Sequence, residues 1–267
     1  MRRLLILLFS SLVFSTPALA QFDMQQIAVL QGARDSIGLG ASLAGIGDIN
    51  SDGIEDLAVG QNAWNNSYKK TFIYFGSKNF DTIPDLTFSF YSYHISHGDI
   101  NGDTLSDLLL SPLGKIYIYY GSISFDTIPD DSIVNNAHDF GSNFACGDIN
   151  KDGYDDLAVY GGFTKVFVYL GGDTISKQPA YVLQGPPNYF GSQNLDIGDI
   201  NGDGFKDLAV STSNDYNDST YVYFGGLELD TIPRLKFKGG GYTWRYKWRR
   251  VCRCDNYERD IFRWCSD

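Results

Sequence analysis

The tetrapeptide Gly-Asp-Ile-Asn stands four times in the chain, beginning at Gly47, Gly98, Gly147 and Gly198, with spacings of 51, 49 and 51 residues. A fixed period of that length means one supersecondary unit copied along the chain, each copy burying its apolar surface only against its neighbours. The copies agree beyond the tetrapeptide. The first runs Gly47-Asp-Ile-Asn-Ser-Asp-Gly-Ile-Glu-Asp-Leu-Ala-Val59 and the fourth Gly198-Asp-Ile-Asn-Gly-Asp-Gly-Phe-Lys-Asp-Leu-Ala-Val210. A second echo follows each: Phe72-Ile-Tyr-Phe-Gly76, Ile116-Tyr-Ile-Tyr-Tyr-Gly121, Val166-Phe-Val-Tyr-Leu-Gly171 and Tyr221-Val-Tyr-Phe-Gly225. A third is Asp81-Thr-Ile-Pro84, Asp126-Thr-Ile-Pro129, Asp173-Thr-Ile175 and Asp230-Thr-Ile-Pro233.

Each unit reads as four short strands. In the third they fall near Phe144–Asp148, Asp156–Tyr160, Lys165–Leu170 and Ala180–Leu183. These runs are β-branched and aromatic, with Gly, Pro and Asp between them, and no long helical period interrupts them. The 18 Tyr, 18 Phe and 29 Gly against 2 Met suit an all-β chain. A four-stranded unit of about 50 residues predicts the blade of a β-propeller. Gln26-Ile-Ala-Val-Leu-Gln-Gly32 resembles Ala180-Tyr-Val-Leu-Gln-Gly185, so residues 25–32 read as a lone outer strand preceding the first full unit. Units start near residues 38, 90, 140 and 190, and the repeat region covers 21–238. An arc of four such units leaves strand edges and a blade face open, which predicts poor solubility.

The chemistry sits in the loop after the first strand of each unit, with the spacing Asp-x-Asn-x-Asp-Gly-x-x-Asp. The candidate ligands of the first loop are Asp48, Asn50, Asp52, Ile54 and Asp56. Those of the second are Asp99, Asn101, Asp103, Leu105 and Asp107. The third supplies Asp148, Asn150, Asp152, Tyr154 and Asp156, and the fourth Asp199, Asn201, Asp203, Phe205 and Asp207. Oxygen donors at alternate positions of a tight loop wrap a hard cation. Ile54, Leu105, Tyr154 and Phe205 would contribute backbone carbonyls, and the last Asp would close the shell. All-oxygen ligation by several carboxylates in a flexible loop points to Ca2+ over Mg2+. Position twelve lacks the carboxylate of an EF-hand, and a strand follows where that motif needs a helix. In the second loop Thr104 replaces Gly, and a β-branched residue resists a positive φ. That loop is therefore expected to bind weakly or not at all.

Residues 1–20 read as a secretory signal: Arg2 and Arg3, an apolar stretch from Leu4 to Val13, and Ala18-Leu19-Ala20 before a cleavage site. The apolar run is too short to span a bilayer comfortably, and no other segment could. The mature chain is expected to begin at Gln21 and to work outside the cell or at its surface. The other end differs in character. Residues 239–267 hold Cys252, Cys254 and Cys265, three of the four Trp, and seven of the 21 Lys and Arg. Residues 21–238 carry 28 acids and 12 bases, a net charge of −16 that excludes nucleic acid as a partner. The genetic code offers a reason for the break. If the first base of the Trp244 codon is dropped, the codons of residues 244–257 can spell Gly-Asp-Ile-Asn-Gly-Asp-Gly and a strand start. That is a fifth loop, placed 46 residues after the fourth. Residues 239–267 therefore read as out of frame.

The loops and the motif ahead of them resemble FG-GAP repeats, the blades of the integrin α-subunit propeller and of many secreted bacterial proteins. The motif stands as Phe140-Gly141 and Phe190-Gly191, as Leu39-Gly40 in the first unit, and as Phe90-Tyr91 in the second. The resemblance implies a ring usually of seven blades, calcium loops between the first two strands of some blades, and adhesion or ligand binding rather than catalysis. The partner would be an extracellular protein or glycan. No nucleophile elbow, phosphate loop or Cys–His pair is present in the sequence, and Asp155-Asp156 reads as one ligand and one solvated acid. Two other functions share parts of the pattern. A polysaccharide lyase on a calcium-rich propeller would need a Lys, Tyr or His base beside a cation. A dockerin-like module uses similar loops, but as a close pair before helices.

Overall fold

The computed structural model describes residues 3–5, 28–32, 38–63, 66–186, 189–212 and 219–238. The expected out-of-frame tail and most of the expected signal lie outside them. Four antiparallel four-stranded sheets follow one another along the chain. Two short strands, β1 (Arg3–Leu5) and β2 (Val29–Gln31), precede them. The first sheet is β3 (Leu39–Gly45), β4 (Leu57–Gln61), β5 (Lys70–Tyr74) and β6 (Leu86–Phe88). The second is β7 (His94–Gly98), β8 (Asp107–Ser111), β9 (Lys115–Tyr119) and β10 (Asp131–Val134). The third is β11 (Phe144–Gly147), β12 (Asp156–Gly161), β13 (Lys165–Tyr169) and β14 (Tyr181–Gln184). The fourth is β15 (Leu195–Gly198), β16 (Asp207–Ser211), β17 (Ser219–Tyr223) and β18 (Leu235–Lys238). The strands of the third unit fall within a residue or two of their sequence positions. Among the described residues the helical content is one 3-10 turn, Asn66–Tyr68.

Each sheet is a simple meander in sequence order, which short turns between neighbouring strands dictate. The first strands β3, β7, β11 and β15 lie next to one another along the inner side, so the sheets radiate from them as propeller blades. Among the described residues no backbone ladder joins the fourth sheet to the first. The blades are held by side chains across their faces. Alternation along a strand sends successive residues to opposite faces, and a blade between two neighbours needs apolar residues on both. In β9, Ile116 and Ile118 face the third blade while Tyr117 and Tyr119 face the first. The second strand of each blade is accordingly almost wholly buried; in β8 all five residues are. Each of these three interblade layers stabilises the fold by about 25 cal/mol per Å2 of apolar surface it removes from water.

The motif residues ahead of β11 and β15 belong to this packing. Phe140 and Phe190 are fully buried, Phe140 between the second and third blades and Phe190 between the third and fourth. Gly141 takes a left-handed φ of 80°, and a Cβ there would lie 2.4 Å from Ser111 Oγ. Gly191 repeats that turn, with φ of 92°. The Asp-Thr-Ile echo is an Asx turn before the fourth strand. Asp81, Asp126 and Asp230 accept the backbone N–H of Ile83, Ile128 and Ile232 at 2.8, 2.7 and 3.0 Å. The third blade departs: Tyr154 donates its hydroxyl to Asp173, and Ile175 is buried.

Strand β2 belongs to none of the four sheets and pairs with Arg3–Leu5. Its Leu30 is buried against Val59 and Tyr74, on the first blade's outer-facing surface. Leu183 of the fourth strand of blade three packs in the same way against Val210 and Tyr223 of blade four.

Candidate metal centre

The four Asp-x-Asn-x-Asp loops lie between the first and second strands of their blades and fold alike. In the first, Asp48 accepts the backbone N–H of Asp52 and of Gly53 at 3.1 and 2.7 Å. Asp52 accepts from Ile54 at 2.9 Å, and Asn50 accepts from Asp52 at 3.0 Å. The third loop repeats these bonds through Asp148, Asn150 and Asp152. In the fourth, Asp199 accepts from Gly202 and Gly204 at 2.7 and 3.1 Å, and Asp203 accepts from Phe205 at 2.9 Å. Two backbone positions in each loop are left-handed. One is the expected Gly, with φ of 86°, 93° and 90° at Gly53, Gly153 and Gly204. The other lies two residues earlier, at Ser51, Gly102, Lys151 and Gly202.

The second loop forms in spite of Thr104. The residue takes the left-handed conformation, with φ of 73°, and its N–H reaches Asp99 at 2.9 Å. Asn101, Asp103 and Leu105 make the same bonds as their counterparts. The substitution therefore stores strain in a turn of unchanged shape. One difference concerns Asp99. Its Oδ1 is shielded from solvent and has no hydrogen-bond partner among the described residues.

The last Asp of each loop has a structural task that the spacing did not reveal. Asp56, Asp107, Asp156 and Asp207 are buried. One oxygen of each accepts the N–H of Ile49, Ile100, Ile149 or Ile200, at 2.8 to 3.0 Å. The other accepts the N–H of Gly76, Gly121, Gly171 or Gly225, at 2.7 to 3.0 Å. The carboxylate thus ties the loop to the end of the third strand. Burial is the main cause that pushes these carboxyls up, to about 6 for Asp56 and about 7 for Asp107 and Asp156; Asp207 rises for the same reason. The two backbone bonds pull the other way but do not compensate. Among the described residues an ionised carboxylate in this position has no counter-charge in contact with it.

The Ile of Gly-Asp-Ile-Asn, identical in all four copies, is the signal that sequence reasoning left unused. Ile49, Ile100 and Ile149 bury their side chains completely or nearly so. Their carbonyls accept N–H groups of the next blade: Ser122 at 3.0 Å, Gly172 at 3.0 Å and Gly226 at 3.1 Å. Interblade ties also come from the residue before the last Asp. Ser106 donates its hydroxyl to the Ile46 carbonyl at 2.9 Å. Asp155 accepts the Asp99 N–H at 2.9 Å, while its own N–H reaches the Asp99 carbonyl at 2.7 Å. This corrects the reading of Asp155 as a solvated acid, because the neighbouring blade supplies its partner. Cys146 is half-buried against the core between blades two and three, and burial pushes its thiol up to about 12. His94 meets Phe144 edge-on at 4.7 Å.

Among the described residues no three His, Cys, Asp or Glu side chains gather as a ready-made metal cluster. The donor chemistry nevertheless fits a hard cation, since every loop presents oxygen from Asp and Asn on one tight turn. The buried, unpartnered Oδ1 of Asp99 is an acceptor that such an ion would satisfy. On the inner side the first strands of blades two to four line an open groove of about 560 Å3, whose polar wall includes His97, Ser106, Asp155, Asp196 and Lys206. No helix among the described residues is long and apolar enough to cross a membrane.

Comparison with known proteins places the repeats. A family model for an FG-GAP-like repeat matches residues 148–210. Integrin alpha-V of Gallus gallus is 30% identical over 238 residues, covering 76% of this chain and 22% of that protein. Integrin alpha-5 of Xenopus laevis is 29% identical over 215 residues, covering 67% and 20%. Integrin alpha-3 of Mus musculus reaches 38% over 103 residues, covering 33% and 10%. The chain thus spans about a tenth to a fifth of the length of these relatives. The four loops, the buried Phe and left-handed Gly ahead of blades three and four, and this likeness together make the chain an FG-GAP repeat protein, integrin-α-like in its blades.

Proposed function

We propose that this is a secreted, calcium-stabilised propeller that acts as a non-enzymatic binding module for an extracellular protein or glycan. The carrying observation is the fourfold recurrence, at one place in every blade, of a folded loop whose Asp and Asn oxygens share a single turn. In the loops the cation would be held by Asp48, Asn50, Asp52, the Ile54 carbonyl and Asp56, and by the matching residues of the other three. When bound it would supply the positive charge that a buried last carboxylate lacks, and so would fix the connection from first to second strand. Structural calcium of this kind suits extracellular concentrations, where modules bind at about 10⁻⁴ to 10⁻³ M. The likeness to integrin α chains supports a binding role, because it runs through the blades that carry these loops.

The test has two arms. Chelator-stripped protein titrated with Ca2+ should release or absorb heat and melt higher; no heat and no shift would remove the calcium reading. An array of matrix proteins and glycans probed with and without Ca2+ should then give calcium-dependent capture. Turnover of an acidic polysaccharide would instead favour a lyase.

A further inference from the structure

The surface of the fourth blade that faces away from the third is constructed as an interblade interface. Its counterparts on blades one to three are all covered. Ile49, Ile100 and Ile149 are at most 1% exposed, whereas Ile200 in the same place is half-buried. Strand register aligns Phe237, opposite Thr220, with Phe88, Ile133 and Leu183. Those three are at most 2% exposed, and Phe237 is half-buried. The first glycine of the tetrapeptide gives the sharpest comparison. A Cβ on Gly47, Gly98 or Gly147 would come within 2.4 to 2.6 Å of Ser106, Asp155 or Ile197 of the following blade. At Gly198 nothing lies within 4 Å. A glycine that the crowding of a next blade requires three times is present a fourth time without the crowding. The Ile49, Ile100 and Ile149 carbonyls each accept an N–H of the following blade. Among the described residues the Ile200 carbonyl has no such donor.

We propose that this face seats a fifth FG-GAP blade, encoded by the same gene in the frame that drops the first base of the Trp244 codon. That frame can spell Gly-Asp-Ile-Asn-Gly-Asp-Gly, the loop that follows the first strand of every blade here, 46 residues after the fourth against 49 to 51 between the other copies. Both Trp codons in the stretch, being UGG, force glycine at the first and fifth places of the new loop. A second copy of this chain is a poorer occupant. The first-blade surface it would offer, Val59 and Tyr74, is already covered by Leu30. The inference stands on the blade geometry and does not need the loops to hold calcium.

The coding DNA across codons 240–267 is read first; nucleotides that cannot encode the shifted loop overturn the proposal. The frame-restored chain is then compared with the chain as written, each carrying Gly198→Ala or Phe237→Asp, with Gly147→Ala as the reference for a seated blade. In the chain as written, Gly198→Ala should shift the melting temperature by no more than about 2 °C, and Phe237→Asp should lower it by several degrees less than it does in the restored chain. In the restored chain each should lower it by about 6 °C or more, as Gly147→Ala does in both. Equal small effects in both chains overturn the proposal, as does a restored chain that melts below the chain as written. A chain as written that is dimeric by light scattering and returns to monomer with Phe237→Asp assigns the face to a second copy instead, and also overturns it.

Discussion

Removing divalent cations should make stability fall as pH rises, the reverse of what buried, paired carboxylates usually do. In the unfolded chain Asp56, Asp107 and Asp156 titrate near the ordinary 3.8; in the fold burial holds them at about 6, 7 and 7. Below pH 3.8 both states carry the proton and no penalty arises. As pH rises the unfolded chain ionises first, while the fold keeps its protons until about 6 to 7, so the folded state binds more protons across that window. Stability is then lost with increasing pH. At 1.36 kcal/mol per pH unit of displacement, each ionised carboxylate costs the cation-free fold on the order of 3 to 4 kcal/mol. Three such costs rival the ~5–15 kcal/mol of net stability a domain has. On the proposed function, a cation at the loop would reverse the balance. With a Kd of ~10⁻⁴ M and ~10 mM calcium, each site adds about 2.7 kcal/mol, and it does so to the ionised form. Urea unfolding at about pH 4.5 and 7.5, in chelator and in calcium, reads this directly. In chelator the midpoint should drop on going to the higher pH; in calcium it should hold or rise. General repulsion among acids would also give a drop, so Asp156→Asn is the control. It removes one titrating group and should reduce the slope by up to ~1.4 kcal/mol per pH unit. A chelator midpoint that is flat or rises with pH, or a slope that Asp156→Asn leaves unchanged, refutes the reasoning.

Thr104→Gly should relieve a β-branched residue from a left-handed turn. A gain of about 1 kcal/mol in unfolding free energy is expected, with tighter calcium uptake at the second loop by calorimetry. At about pH 4.5, where the folded carboxyl keeps its proton, Asp156→Ala leaves the N–H groups of Ile149 and Gly171 unpaired in the interior and should destabilise the chain by about 3 kcal/mol by urea titration. Ser106→Ala deletes one interblade hydrogen bond and should cost about 1 kcal/mol, with faster hydrogen exchange confined to the junction of blades one and two. Phe140→Ala opens a cavity between blades two and three and should cost about 3 to 5 kcal/mol, while the first blade keeps its exchange protection.

What the order of residues determined by itself was everything local and periodic. Four identical tetrapeptides at nearly equal intervals specify four units. Alternating β-branched and aromatic residues specify the strands inside them, and the Asp and Asn spacing specifies a loop rich in oxygen. These features rest on interactions within a few residues, such as Asp48 accepting from Gly53, and so leave a direct trace in the spacing. The tertiary structure decided what depends on the neighbouring blade. The last Asp of each loop reads as a ligand in sequence, yet only the fold shows it buried and bonded to a glycine 14 to 20 residues further on. The same holds for Asp155, whose partner Asp99 lies 56 residues away, and for Ile49, whose carbonyl reaches Ser122. Thr104 shows the limit from the other side. Its β-branched side chain argues against the turn, but the hydrogen bonds of the loop and the strands on either side impose it. Burial and crowding are properties of the stacked blades, and a linear pattern carries them only as an unexplained identity, a repeated Gly or Ile whose reason appears when the next blade is in place.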